Sequence, residues 1–384
     1  MSHSWLDKDF IEKALGKEIV NFEVKPFDAI NCTSSVFAVQ VQLKTNAKEH
    51  LFVKKLIDTQ DGQQSVKETS MFERETHMYR VVLPKMSALL EKAIPGCEPI
   101  APRHVYSNAE VLVLEDLSAS NFRIMDVKKG LDLHQSLLVM KTLAKFHSAS
   151  IILHEEDPQC FKIYDHHLFI EPAMKQSVGQ FYTSMTRMLA DDMVNWPDIG
   201  ERYSKKIREI SGKMIELAAE AVRRREDRLN VLGHNDLWVN NILFRSPDGV
   251  RFIDFQMSHY ASPGNDIQSF MYSSLKPEVR RNHRGDLLKE YHKTFNDTLT
   301  ALGYEGRMLT FEEFQEQVKK SAPYALLMCI VFVPLMFVQP DAEISLFETK
   351  IDQTIGKLNN VKAREMLMEM LHELEEQGAS VFDF

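Results

Sequence analysis

Hydrophobic and polar positions alternate along the first third of the chain and then recur at three- and four-residue spacings. Phe37, Val39, Val41 and Leu43 alternate with Ala38, Gln40 and Gln42, the period of a half-buried strand. Residues 50–57 predict a second strand, and 109–117 a third, an apolar, β-branched run that stops at Glu115 and Asp116. Between these, 67–79 carries Met71, Glu75, Met78 and Tyr79 at helical spacings. Trp5, Leu6, Phe10, Ile11 and Leu15 predict a packed helix at the start of the chain. From Leu131 onward the period is helical: Leu133, Leu137, Met140, Leu143, Ala144 and His147 line one stripe. Further helices are expected over 167–193, 197–228, 278–302, 311–333 and 361–376. The layout is α+β, with a small strand-rich lobe over 1–115 and a large helical lobe over 116–384. One loop-rich stretch, around 231–265, interrupts the helices.

Composition narrows the classes. A chain of 384 residues exceeds a single core, which agrees with two lobes. With 44% apolar and 26% charged residues it is an ordinary globular composition, and a net charge of −9 opposes binding to nucleic-acid phosphates or anionic membranes. Arg223, Arg224 and Arg225 are followed by Glu226 and Asp227, the pattern of a solvated helix face. Cys32, Cys97, Cys160 and Cys329 lie far apart, so neither a zinc site nor a disulfide framework is expected, and a reducing, cytoplasmic setting fits. The most apolar stretch, 322–338, contains Pro323 and Pro334 and is expected to be a core helix, with no membrane insertion.

Candidate chemistry sits in the loop-rich stretch. Residues 231–244 contain His234-x-Asp236-x-x-x-x-Asn241 between short apolar runs, and 250–256 ends a strand-like run in Asp254-Phe255. Phosphoryl transfer needs this set: a carboxylate to orient and accept the proton of an attacking hydroxyl, and oxygen ligands to hold Mg²⁺ on nucleotide phosphates. Asp236 takes the first role, as catalytic base; Asn241 and Asp254 take the second, as metal ligands. Upstream, Lys54 on the second strand is placed to reach the α- and β-phosphates of ATP, with Glu75 on the following helix as its ion-pair partner. Lys55 points to the other face of the strand, and Phe52, on the face of Lys54, is placed to stack on adenine. The Glu115-Asp116 step is expected to form the inter-lobe hinge, whose backbone groups face the adenine edge, with Glu115 and Leu117 as nucleotide-binding residues.

The ordered segments FVK, FERETHMY, LVLEDL, LAKFHSAS, HNDLWVNN, FIDFQ and PGNDIQSF resemble the CHK kinase-like group, the ecdysteroid-kinase-like relatives of choline kinase and aminoglycoside phosphotransferases. This resemblance covers nearly the whole chain. It implies a protein-kinase-like two-lobed fold, ATP and Mg²⁺ as cofactors, and a small-molecule hydroxyl as acceptor. It also assigns Asp266 the bracing of the catalytic loop, and His147 and His234 architectural roles. One departure stands out: the first hairpin, 28–37, has no glycine, and Asn31, Thr33, Ser34 and Ser35 are expected to supply side-chain donors to the phosphates. Asn235 stands where many relatives have glycine.

Eleven residues separate Asp254 from Asp266, too few for a phosphorylatable activation loop and a peptide platform, so a small acceptor is expected. Trp238, two residues after the base, offers an apolar wall and favours an apolar alcohol such as an ecdysteroid, another steroid or a xenobiotic. Two alternatives use the same residues. A pseudokinase that binds a ligand or partner without catalysis is suggested by the glycine-free hairpin; metal-dependent ester hydrolysis lacks the His and Asp clusters of two-metal sites.

Overall fold

The computed structural model describes residues 4–26, 34–56, 70–165, 169–170, 172–197, 200–336 and 361–376. Five antiparallel strands form the first sheet: β1 (Ile19–Pro26), β2 (Ser34–Leu43), β3 (Lys48–Leu56), β4 (His104–Ser107) and β5 (Val111–Glu115), in the order β1-β2-β3-β5-β4. Alternation assigns its two faces. Phe37, Val39, Val41 and Leu43 of β2, Leu51 and Val53 of β3, and Val111 and Val113 of β5 pack under helix α1 (Lys8–Leu15) as a separate small core. The opposite face carries Phe52 and Lys54 of β3 beside Leu112 and Leu114 of β5, and it turns toward the main core. Helix α2 (Met71–His77) runs through a π-helical turn, Met78–Val82, into α3 (Leu83–Ala93). Residues 67–69 of the expected helix lie outside the described residues.

Past the hinge, α4 (Leu133–Glu156) starts from a capping box in which Asp132 and Gln135 satisfy each other's backbone N–H groups. It is the one helix among the described residues long and apolar enough to cross a membrane, and its apolar stretch is 72% buried inside the protein. Around it lie α5 (Pro172–Met193), α6 (Gly200–Ile210), α7 (Met214–Val222), α8 (Gly264–Ser274), α9 (Pro277–Ala301), α10 (Phe311–Lys319), α11 (Ala322–Met336) and α12 (Val361–Glu376). Two expected helices are broken. The segment 197–228 divides at a short 3₁₀ turn, Ser211–Lys213, where Gly212 disfavours a continuous helix. The segment 311–333 divides at Lys320–Ser321, and Pro323 falls in the first turn of α11, where its missing N–H costs nothing. Leu326, Leu327 and Ile330 of α11 are buried, as a core helix requires.

Two small sheets frame the loop-rich stretch: β7 (Val231–Gly233) with β10 (His259–Ala261), and β6 (Arg123–Ile124) with β8 (Ile242–Arg245) and β9 (Gly249–Phe252). A strand-rich lobe over a helical lobe, joined through β5, is the protein-kinase-like arrangement.

Candidate functional site

Pleating of β3 separates the adjacent lysines. Lys54 turns inward and is almost fully buried; Lys55 turns to the other face, its ammonium 5.0 Å from the Trp5 ring. Lys54 Nζ donates to Glu75 Oε2 at 2.7 Å and to Asp254 Oδ1 at 3.0 Å. One buried ammonium therefore joins the sheet, α2 and the segment after β9. Burial alone would lower the Lys54 pKa, but the Asp254 and Glu75 carboxylates outweigh it and raise it. Burial pushes the Glu75 carboxyl up to about 7; Lys54 opposes this, while the Asp254 carboxylate adds to it. Lys54 therefore stays ionised, while burial, with a second carboxylate on the same cation, holds Glu75 above the usual glutamate range.

The register of β2 on β3 sets Ser34 opposite Leu56, Ser35 opposite Lys55 and Val36 opposite Lys54. Ser34 shares the face of Lys54, and its buried hydroxyl has no hydrogen-bond partner among the described residues. Ser35 is exposed on the other face, with Lys55, so its side chain does not point with Lys54 as expected for a phosphate donor; strand alternation separates the two serines. Asn31 and Thr33 lie outside the described residues. Phe52 is partly buried on the Lys54 face and packs against the main core. Glu115 ends β5, and Leu117 opens a 3₁₀ turn, Leu117–Ser120, capped by Asp116 Oδ1 accepting from Ser118 N–H at 2.9 Å.

Between β7 and β8 the loop is pinned from below by Leu237 and Val239, both fully buried. Asp266, at the start of α8, accepts from His234 N–H at 2.7 Å, from Asn235 N–H at 2.6 Å, and lies 3.0 Å from His147 Nε2. Burial would raise the Asp266 carboxyl, but the His147 hydrogen bond and charge bring it below its usual value. His147 Nδ1 is in turn 2.6 Å from the Tyr291 hydroxyl. Asn235 adopts a left-handed φ of 58°, a conformation that glycine meets without strain and that asparagine is among the residues to tolerate. Its carbonyl accepts from the Tyr324 hydroxyl at 2.8 Å. Gly233 has no room for a side chain, since a Cβ would lie 2.8 Å from Asn235 Nδ2.

His234 couples this loop to the next segment. Its Nδ1 accepts from Asp236 N–H at 3.3 Å, so Nε2 carries the proton and donates to the Ile253 carbonyl at 2.8 Å. Burial lowers its pKa, in keeping with a neutral ring. Asp254 also has a left-handed φ, 64°, an uncommon conformation for a non-glycine residue. The following Phe255 holds it there: that ring is fully buried, 4.7 Å from His234, 5.5 Å from Tyr79 and 5.7 Å from Phe146.

Asn241 Nδ2 donates to the Asp236 carbonyl at 2.8 Å and to Asp236 Oδ2 at 2.9 Å. With its amide nitrogen committed, its carboxamide oxygen is the group left to face a cation. Desolvation and the nearby Asp254 carboxylate raise the Asp236 carboxyl well above its usual value, against the Asn241 hydrogen bond. A cation beside Asp254 answers this excess of negative charge. Asn241 and Asp254 offer oxygen donors only, and no cluster of three or more His, Cys, Asp or Glu that could hold a metal occurs among the described residues. Oxygen donors of this kind would suit Mg²⁺, which would supply charge neutralisation there.

Sequence reasoning missed Tyr324 as a loop support and the tautomer lock of His234. Both act through main-chain carbonyls, on Asn235 and Ile253, that no motif advertises. Beyond the loop, Phe169 lies 5.5 Å from Tyr182 and 6.4 Å from Tyr324, and both tyrosine hydroxyls feel the Asp236 charge. Phe161 and Trp196 pack elsewhere, against Tyr260 and beneath Arg364.

No curated protein matches the chain. Similar solved structures include a spectinomycin phosphotransferase in complex with ADP and spectinomycin, with a TM-score of 0.49 and 12% identity over 98% of this chain and 99% of that one. Another is a Plasmodium vivax ethanolamine kinase, with a TM-score of 0.44 and 14% identity over 97% of this chain and 86% of that one. The model of the ecdysteroid kinase-like family matches residues 29–304, most of the chain. The chain thus belongs to the ecdysteroid kinase-like family of small-molecule kinases.

Proposed function

We propose that the protein transfers the γ-phosphate of ATP to a hydroxyl of a small, apolar alcohol, with an ecdysteroid or another steroid or xenobiotic as the acceptor class. The observation that carries this reading is the juxtaposition of Lys54, bonded to both Glu75 and Asp254, with the Asp236–Asn241 pair on the adjoining loop. In this reading Lys54 holds the α- and β-phosphates, and Glu75 keeps its ammonium in place. Asn241 and Asp254 hold Mg²⁺, which supplies charge neutralisation on the phosphates when bound. Asp236 orients the acceptor hydroxyl and takes its proton as the oxygen–phosphorus bond forms and the bond to the ADP oxygen breaks. Its raised affinity for a proton suits that task. Phe52 stacks on adenine, Glu115 and Leu117 meet its edge through the backbone, and Ser34 donates to phosphate. Trp238, with Phe169, Tyr182 and Tyr324 beyond the loop, supports an apolar acceptor.

The test incubates the protein with γ-labelled ATP, Mg²⁺ and a panel of steroid alcohols, choline-type amino alcohols and aminoglycosides. Label is expected on the apolar alcohols, and Asp254→Ala is expected to abolish Mg²⁺-dependent ATP binding. Label confined to the cationic acceptors would overturn the acceptor class. ATP binding indifferent to Mg²⁺ and to Asp254→Ala would overturn the kinase reading in favour of a binding protein.

A further inference from the structure

At the hinge the sheet exchanges one of its regular partners for a side chain. β3 pairs with β5 so that Leu51 stands opposite Glu115 and Lys54 opposite Leu112. Leu56 N–H donates to the Glu110 carbonyl at 2.9 Å and Asp116 N–H to the His50 carbonyl at 2.9 Å, so the even-numbered residues of β3 make the ladder bonds. Glu115, opposite an odd-numbered residue, therefore turns its N–H and carbonyl away from β3 and toward the strand on its other side. Its N–H donates to the Arg103 carbonyl at 3.0 Å. The reciprocal bond is replaced: Arg103 N–H donates to Glu115 Oε1 at 2.9 Å, and Arg103 Nε lies 3.9 Å from Oε2. Arg103 N–H, committed to Oε1, makes no backbone bond to the Glu115 carbonyl. Two residues on, the Leu117 carbonyl accepts from Phe122 N–H at 3.1 Å, and no bond among the described residues engages the Leu117 N–H.

An open carbonyl and an open N–H two residues apart match a purine with an amino donor at position 6 and an acceptor at position 1; a 6-oxo purine reverses both. We infer that the Glu115 carboxylate is a specificity-determining positioning residue, which occupies Arg103 N–H and so leaves the Glu115 carbonyl for the 6-amino group of the nucleotide base. This rests on the ATP reading above. Without the carboxylate, Arg103 N–H reclaims the carbonyl, completes the ladder and removes the base's partner. Glutamine preserves the device, because its amide oxygen accepts the same N–H.

Titration calorimetry with ATP and with purine riboside triphosphate, which lacks only the 6-amino group, tests this in the presence of Mg²⁺. The wild type is expected to prefer ATP about fivefold or more, the value of one hydrogen bond. Glu115→Ala should bring the two affinities within about twofold, and Glu115→Gln should restore the preference, each with an unchanged thermal midpoint. A preference that survives in Glu115→Ala, or is absent from the wild type, overturns the inference while leaving the ATP reading intact. If Glu115→Ala does not fold, Glu115→Leu, which likewise cannot accept the Arg103 N–H, takes its place in the same comparison. Binding of neither nucleotide by the wild type overturns the ATP reading and the inference with it.

Discussion

At the residue scale, strand alternation makes it legible that Lys54 and Lys55 turn to opposite faces, and in the structure Lys54 meets Glu75 and Asp254 while Lys55 lies over the Trp5 ring. What the sequence could not express is that two carboxylates compete for that one ammonium, because Asp254 lies 200 residues away. The competition has a measurable sign. Glu75 binds its proton more tightly folded, at about 7, than unfolded, at an ordinary glutamate value of 4.5. Between these two values the folded protein holds the extra proton, so the Glu75 contribution to stability falls as pH rises through the window. Glutamine at this position has no proton to lose. The stability of Glu75→Gln relative to wild type should therefore climb by about 1.4 kcal/mol per pH unit from roughly pH 5 to 7, then level off. Denaturant unfolding of both proteins across that range checks it, and a constant difference would show that Glu75 is ionised throughout.

At the scale of elements, the motif residues announced a catalytic loop but not what holds it. Asp266 was readable as its brace, whereas the Tyr324 bond to Asn235, 89 residues away, was hidden inside an apolar stretch that reads only as core. That hydroxyl matters because Asn235 is held in a left-handed conformation directly before Asp236. Phenylalanine at 324 would keep the packing and leave the Asn235 carbonyl without this partner, at a cost of about 1–3 kcal/mol. Tyr324→Phe should accordingly slow phosphoryl transfer about tenfold or more while ATP affinity, set on the other side of Asp236, is unchanged. Steady-state kinetics with parallel ATP titrations separate the two quantities, and wild-type kcat would show that the hydroxyl serves only the core. Helix boundaries were less readable than helix existence: 361–376 coincides with α12, but a glycine inside a turn and a proline at a helix start divided two longer stretches.

At the scale of the molecule, both lobes were legible as a change of hydrophobic period near the end of β5. Their joining was not, since it depends on contacts between distant segments. Besides the hinge, the connection from α3 to β4 is fixed to the β8–β9 hairpin. Phe252 N–H donates to the Ile100 carbonyl at 2.7 Å, and Arg251 Nη2 to Glu98 Oε2 at 2.5 Å. With the lobes tied there, the Lys54–Asp254 bond joins them a second time, and the Asp254 carboxylate lies close enough to the Asp236–Asn241 pair for Asp236 to feel its charge. In the proposed reaction this assembly moves a phosphoryl group, with Asp236 accepting the proton of the acceptor. The most direct measurement compares wild type with Asp236→Asn for transfer of label from γ-labelled ATP to an acceptor alcohol, with ATP·Mg²⁺ affinity measured on the same samples. The account predicts a fall in transfer of about 10²-fold or more, the contribution of a general base, with nucleotide affinity within about threefold. Transfer at the wild-type rate in Asp236→Asn would contradict it.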